Sequence, residues 1–321
     1  MDIYLGVDTS CYTTSLAIVD HEGNLLRDLR KLLPVPKGQQ GLRQSAALFQ
    51  HLKNLPELTY NLFENIPVRD IKAIGVSSRP RPREDSYMPV FTAGLSFAES
   101  FANLLRIPLF KTSHQEGHVK AGLWSAKAED WDSFLVVHLS GGTTEFLAVQ
   151  AKRENPGEYL VETLGASLDI HAGQLIDRVG VAMGLPFPAG PHLEKLAAQC
   201  GEKHEIMIPS YVKGYDISFS GAETMAKKML QKRETPAAVA RAVEHCIALS
   251  LEKIIRPALR ELKTTRVLLV GGVAANQYIR ERLKTRLQHP AVGAELYFPE
   301  PKFSSDNAVG VSLIARDRSK N

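Results

Sequence analysis

At 321 residues the chain is too long for one ordinary core and suits two domains. It is 44% hydrophobic and 23% charged, as soluble globular proteins are, and no apolar run reaches the roughly 18 residues of a membrane span. The net charge of +4 is too small to dictate a nucleic-acid partner, and three scattered cysteines, Cys11, Cys200 and Cys246, do not make a disulfide framework.

Met1 to Leu5 enter a strand pattern without the basic and apolar regions of a signal peptide, so no membrane association and a cytoplasmic location are expected. Residues 3–19, IYLGVDTSCYTTSLAIV, read as apolar strand, small hydroxyl-rich turn and apolar strand. Helical patterns follow at 41–65 and 92–106, with a strand at 71–77 between them. Residues 134–149, FLVVHLSGGTTEFLAV, repeat the opening plan. Small residues let a turn approach an anion, so two such hairpins predict a duplicated fold with a phosphate loop in each half. A long helix is predicted over 236–262, with Thr235 as N-cap and Pro236 in its first turn. Arg266 to Val270 reads as a buried strand, followed by Gly271-Gly272 and a helix through about Leu287. A strand running into glycines and a helix is a usual nucleotide position. Strands alternating with helices make the class α/β.

The chemistry begins at Ser113-His114-Gln115-Glu116-Gly117-His118. Histidines at i and i+4 share a helix face, so both imidazoles can reach one metal. The same segment also has capping-box spacing, in which Glu116 merely closes the helix start on Ser113. A zinc protease needs glutamate directly after the first histidine, and Gln115 stands there. Basic residues cluster at Arg79, Arg81 and Arg83, at Lys227 to Arg233, and at Arg280 to Arg286. Each cluster is either a solvated face or part of a surface for a polyanion such as tRNA.

Taken together, these segments resemble the TsaD family, the tRNA threonylcarbamoyltransferases. His114-x-Glu116-Gly117-His118 is similar to its H-x-E-G-H motif, and Leu139-Ser140-Gly141-Gly142-Thr143-Thr144 to its second phosphate loop. Leu164 to Asp169, Gly173 and Asp177 follow its L-G-x-x-x-D-D-A-A-G-x-x-x-D segment. Pro188-Ala189-Gly190-Pro191 matches its P-G-G-P turn in three of four positions. Ser218 to Gly221, Gly271-Gly272-Val273-Ala274-Ala275-Asn276 and Ser305-Asp306-Asn307 follow F-S-F-S-G, G-G-V-x-A-N and T-D-N. The resemblance implies a two-lobed actin- and Hsp70-like (ASKHA) fold of duplicated ribonuclease-H-like domains. The expected lobes are 1–112 and 113–305, with a C-terminal helix over 306–318 packing back on the first.

The resemblance also implies one divalent ion, iron or zinc, on His114, His118 and Asp306. ATP or threonylcarbamoyl adenylate would be the substrate, held by Leu139, Ser140, Gly141, Gly142, Thr143, Asp177, Gly190, Gly271, Gly272 and Asn276. Read without the resemblance, Asp177 is a solvated helix carboxylate and Asn276 a helix cap. The implied reaction moves a threonylcarbamoyl group to the exocyclic amine of the adenosine 3′ of the tRNA anticodon. A TsaB-type partner or self-association is the implied assembly.

The sequence departs from the family at this cleft. The first loop reads Ser10-Cys11-Tyr12-Thr13-Thr14, where the family has acids that its full activity needs. Ser78 to Tyr87, containing Glu84, lacks the family's G-P-G and brings Arg79, Arg81 and Arg83. Pro80 and Pro82 favour an extended backbone that would aim the three arginines at one anion, phosphate or carboxylate. Thr143 replaces the histidine of S-G-G-H-T, and His171 replaces an alanine. Alternatives to tRNA transfer are therefore a carbamoyl-type transferase with another acceptor, or a non-catalytic nucleotide-binding partner of a true family enzyme.

Overall fold

Two five-stranded sheets carry the fold, and each is an antiparallel meander extended by parallel strands. The computed structural model describes residues 1–10, 12–36, 42–83, 85–201 and 206–320. Cys11 of the first loop, Gly41 at the start of the first predicted helix and Glu84 of the arginine segment lie outside the described residues.

The first sheet uses β1 (Ile3–Asp8), β2 (Thr13–Asp20) and β3 (Leu25–Leu32). After α1 (Gln44–Leu62) come β4 (Ile71–Arg79), α2 (Phe91–Leu105) and β5 (Leu109–Ser113). Its strand order is β3-β2-β1-β4-β5. α3 (His114–Ser125) then leads to the second sheet, through β6 (Ser133–Leu139), β7 (Thr144–Ala151) and β8 (Tyr159–Ala166). A helical excursion follows: α4 (Ala172–Ala182), α5 (Gly190–Ala197), the short pair β9 (Tyr211–Lys213) and β10 (Asp216–Ser218), α6 (Ser220–Gln231) and α7 (Pro236–Glu261). β11 (Arg266–Val270), α8 (Gln277–Leu287) and β12 (Glu295–Tyr297) complete the sheet, in the order β12-β11-β6-β7-β8. Last come α9 (Pro301–Ser304) and α10 (Val309–Ser319). β6, β7 and β8 repeat β1, β2 and β3, while β11 and β12 repeat β4 and β5, so the duplication read from the two hairpins is structural.

β1 is buried at every position, which is why it reads as an unbroken apolar run rather than an alternation. α1 and α2 cover one face of the first sheet, and α10 covers the other. In the second sheet, Leu135, Val137 and Leu139 of β6 face the core around α4 and α7, while Phe134 and Val136 face α3. The strand's period of two sorts them.

α3 and α10 touch backbone to backbone. A Cβ on Gly310 would stand 1.9 Å from the Gly117 carbonyl oxygen, and one on Gly75 would stand 2.4 Å from that of Val311. These glycines let α10 lie close to both α3 and the first sheet.

Two local expectations are corrected. The helix after Gly271-Gly272 is a 3-10 turn over Gly272–Ala275, and α8 begins only at Gln277 with Asn276 as N-cap. Gly271 adopts φ 93°, which favours glycine, and a Cβ there would also meet the Leu139 carbonyl oxygen at 2.2 Å. The last helix starts at Val309, not 306. The Asn307 side chain donates to Phe303 and Ser305 carbonyls and accepts from Val309 N–H, tying residues 303–309 into a turn. Asp306 therefore sits on a loop.

Candidate metal and nucleotide site

The capping box predicted at α3 is present. Ser113 Oγ accepts from Glu116 N–H, and the Glu116 carboxylate accepts from Ser113 N–H, Ser113 Oγ and Thr112 Oγ1. Glu116 is thereby occupied as a structural acceptor. Its cap fixes the helix start, and His114 and His118 project one turn apart from the fixed end.

Their Nε2 atoms are 3.0 Å apart, and Asp306 Oδ1 lies 3.4 Å from one and 3.3 Å from the other. The donor atoms of all three residues lie within 4.8 Å of one another. Asp8, at the end of β1, was not singled out from the sequence. Its Oδ2 stands 2.7 Å from His114 Nδ1, and it also accepts from Ser77 Oγ and Ser10 N–H. A carboxylate behind a histidine holds the proton on Nδ1 and leaves the Nε2 lone pair outward. The set therefore fits a divalent ion: two imidazole nitrogens, one carboxylate, and a carboxylate behind the first imidazole.

The charges agree. Burial opposes charge on His114, yet Asp8 and Asp306 outweigh it and push the imidazole up to about 10. Burial and the His114 charge hold His118 below the usual histidine value. Burial also works against the Asp306 carboxylate, but the two imidazoles hold it well below the usual range. The pocket is thus built around one buried positive charge, which is what a bound cation would supply in place of the proton.

His138 was also missed. It lies on β6, its ring centroid 4.7 Å from that of His118 and 6.4 Å from that of His114. It is 2% exposed, and neither ring nitrogen has a hydrogen-bond partner among the described residues. Burial first, then His118 and His114, hold it well below the usual histidine value. An orphaned buried imidazole costs roughly 1–3 kcal/mol. The available signal was a histidine at an inward position of a strand that is otherwise apolar on that face.

The residues predicted for the nucleotide gather on the second hairpin turn and around it. Ser140 N–H donates to the Thr143 carbonyl oxygen, Gly142 N–H to Ser140 Oγ, and Gly173 N–H to the Ser140 carbonyl oxygen. Gly173 has to be glycine because a Cβ would stand 2.6 Å from Gly141 N; this close approach sets the start of α4 against the turn. Tyr12, Gly141, Asp177, Arg178 and Phe187 line a cavity of about 110 Å³. Tyr12 and Phe187 meet edge-on across it, with ring centroids 5.7 Å apart. Asp177 Oδ1 accepts from Ala189 N–H, next to Gly190, and burial raises its pKa. Gly141, Gly190 and Gly272 have open space where a Cβ would be. Leu139 is buried in the core and Gly271 holds the strand end. Asn276 caps Ile279 N–H through Oδ1 and donates through Nδ2 to buried Glu244, so its amide is engaged within the fold.

The arginine segment is not one extended strip. Arg83 N–H donates to the Arg81 carbonyl oxygen, so the chain turns there. Arg81 Nε bonds Glu145 on β7, which also receives Gln115 of α3. Arg83 pairs with Asp85, and Arg79 Nε is buried without a hydrogen-bond partner. The other basic clusters are partly used inside the fold. Lys227 pairs with Glu223, Arg282 and Arg286 pair with Glu252, and Arg280 donates to the Ala274 and Pro299 carbonyl oxygens.

Duplicated sheets of this order with hairpin turns facing a cleft define a two-lobed, actin-like α/β protein. The solved component A of (R)-2-hydroxyglutaryl-CoA dehydratase from Acidaminococcus fermentans shares this fold, with a TM-score of 0.59 at 13% identity, covering 100% of both chains. The chain belongs to the TsaD family: the family model described as tRNA N6-adenosine threonylcarbamoyltransferase matches residues 37–312. Two similar proteins carry that same description. The one from Thermosipho melanesiensis is 32% identical, with 97% of this chain and 93% of that protein covered. The one from Methanopyrus kandleri is 29% identical, with 97% and 86% covered. Among the described residues, no helix is long and apolar enough to cross a membrane.

Proposed function

We propose that the protein transfers a threonylcarbamoyl group from its adenylate to the exocyclic amine of an adenosine in tRNA. The observation that carries this reading is the convergence of His114 and His118 of α3 with Asp306 of the loop before α10, in a chain of this family. A divalent ion held there, iron or zinc, would supply Lewis-acid stabilisation of negative charge on the departing adenylate. Asp8 orients His114 for that task, and the capping box fixes the spacing to His118. The turn Ser140–Thr143 would meet phosphate through the N–H of Gly141, since those of Ser140 and Gly142, like those of Ala172 and Gly173 at the start of α4, are already donated within the fold. Asp177, whose Oδ1 accepts from Ala189 N–H, would accept from ribose hydroxyls through its other oxygen. Small-molecule pockets usually measure roughly 300–1,000 Å³, so the cavity between Tyr12 and Phe187 has to widen for an adenylate. The two lobes are read as 1–112 with the C-terminal helix, and 113–305. A cytoplasmic location and a TsaB-type partner belong to the same reading.

Metal content tests the centre. His118→Ala is expected to lose the ion that the intact protein carries, and equal content in both proteins would overturn the assignment. Mass spectrometry of tRNA nucleosides from cells lacking only this protein tests the reaction; an unchanged threonylcarbamoyladenosine level would remove the tRNA reading.

One observation favours a second reading. Tyr12 occupies the loop position where the family's acids stand, and it meets Phe187 across the cavity. A carbamoyl-type transfer to another acceptor, or a non-catalytic nucleotide-binding role beside an active family member, would suit a cleft altered there. Binding of ATP by the purified protein, without transfer to tRNA, would separate these from the first.

A further inference from the structure

We propose that His138 is a further protein ligand of this centre, making its donor set three histidines and one aspartate; the proposal rests on the metal reading above. The alternation of β6 sends Phe134, Val136 and His138 toward α3, and the first two lie in the apolar cluster with Val119 and Leu123 of that helix. Apolar side chains satisfy this face. A histidine at its end, 2% exposed with both nitrogens unbonded, has no structural partner to account for it.

What it does face is the metal pair. Imidazoles that serve one ion each need a nitrogen about 2.0–2.1 Å from the same point, so their rings must border one small space. The observed separations are 4.4 Å for His114–His118, 4.7 Å for His118–His138 and 6.4 Å for His114–His138. The three rings border one space, with His118 between the other two. The donor atoms already in mutual reach are those of His114, His118 and Asp306. His138 therefore has to turn its ring to present a nitrogen, and no hydrogen bond opposes that turn. α3 lies close enough to the sheet for this reach, since a Cβ on Gly122 would stand 2.8 Å from Val270 Cγ1 on β11, the strand beside β6.

The test uses the full chain stripped of metal and titrated with Co²⁺ against a competing chelator. Leucine suits the apolar face, so His138→Leu is the variant, with His118→Ala as the control for the centre. His138→Leu is expected to bind Co²⁺ more weakly than the intact protein by at least the roughly tenfold to hundredfold that losing an outer-shell partner costs, with an altered visible spectrum. Equal affinity and an unchanged spectrum would overturn the role of His138 while leaving the other ligands standing. Failure of the intact protein to bind Co²⁺ would overturn both. X-ray absorption of the intact, zinc-loaded protein needs no variant: three imidazoles in the first coordination shell support the proposal, and two reject it.

Discussion

Single residues decide whether the cleft takes a nucleotide and how the first sheet responds to acid. Gly141 lines the cavity and has no protein atom within 4 Å of where its Cβ would stand. Gly141→Val should therefore leave the fold intact and crowd only the ligand. Calorimetry with ATP is expected to show a loss of at least tenfold, about 1.4 kcal/mol, and equal affinity would mean that no phosphate approaches this turn. His51 is fully buried beside Thr14 and Asn54, with its Nδ1 2.8 Å from Thr14 Oγ1. Burial lowers its pKa to about 4, against an opposing pull from Asp8 and Asp306. The unfolded chain then binds the proton more readily than the folded one. The stability this histidine contributes is present above about pH 6.5 and is lost as pH falls toward 4, a loss of about 3 kcal/mol. Chemical denaturation between pH 7 and 4 should show a shallower decline for His51→Gln than for the intact protein.

At the scale of elements, the metal site depends on how closely two helices cross. His114 and His118 come from α3, while Asp306 precedes α10, and the helices meet at Gly117 and Gly310. Gly310→Ala puts a methyl group 1.9 Å from the Gly117 carbonyl oxygen, a backbone atom that cannot turn aside. The helices must separate, at a cost of about 1–3 kcal/mol or more. Thermal unfolding should report that loss. Metal content should fall as well, although no ligand has changed, because Asp306 moves with α10. Normal metal content in a destabilised Gly310→Ala protein would show that the loop holds Asp306 independently of the crossing. At the glycine of His-x-Glu-Gly-His the same crossing is less tight, with Val311 Cγ2 standing 3.0 Å from where a Cβ on Gly117 would be.

At the scale of the whole molecule, Arg81 joins the loop after β4 to Glu145 on the second sheet, so the arginine segment is part of the contact across the cleft. Glu145 is 5% exposed, and removing its cation would leave a buried carboxylate supported, among the described residues, by Gln115. A test of nucleic-acid binding should therefore keep Arg81 and replace Arg79 and Arg83 by serine. If both meet tRNA phosphate, the slope of log affinity against log salt should flatten by about two units. An unchanged slope and affinity would leave the segment as an interlobe tie and a surface turn. Lys227, Arg280, Arg282 and Arg286, already held by the fold, are poorer candidates for the remaining contacts.

The sequence by itself determined the repeated hairpins, the α/β class, the capped starts of α3 and α7, and the pairing of His114 with His118, while Asp306 joined that pair only through the resemblance to the family. These follow from local rules: a period of two in strands, a period near four on helix faces, cap chemistry at fixed offsets, and motifs that keep their order. Only the tertiary structure decided that Asp8 stands behind His114, that His138 faces the pair, that Arg81 is engaged by Glu145, and that the Asn276 amide is used inside the fold. Those contacts join residues far apart in the chain. Their distances depend on how closely backbones approach at Gly117, Gly310 and Gly271, which local pattern does not encode.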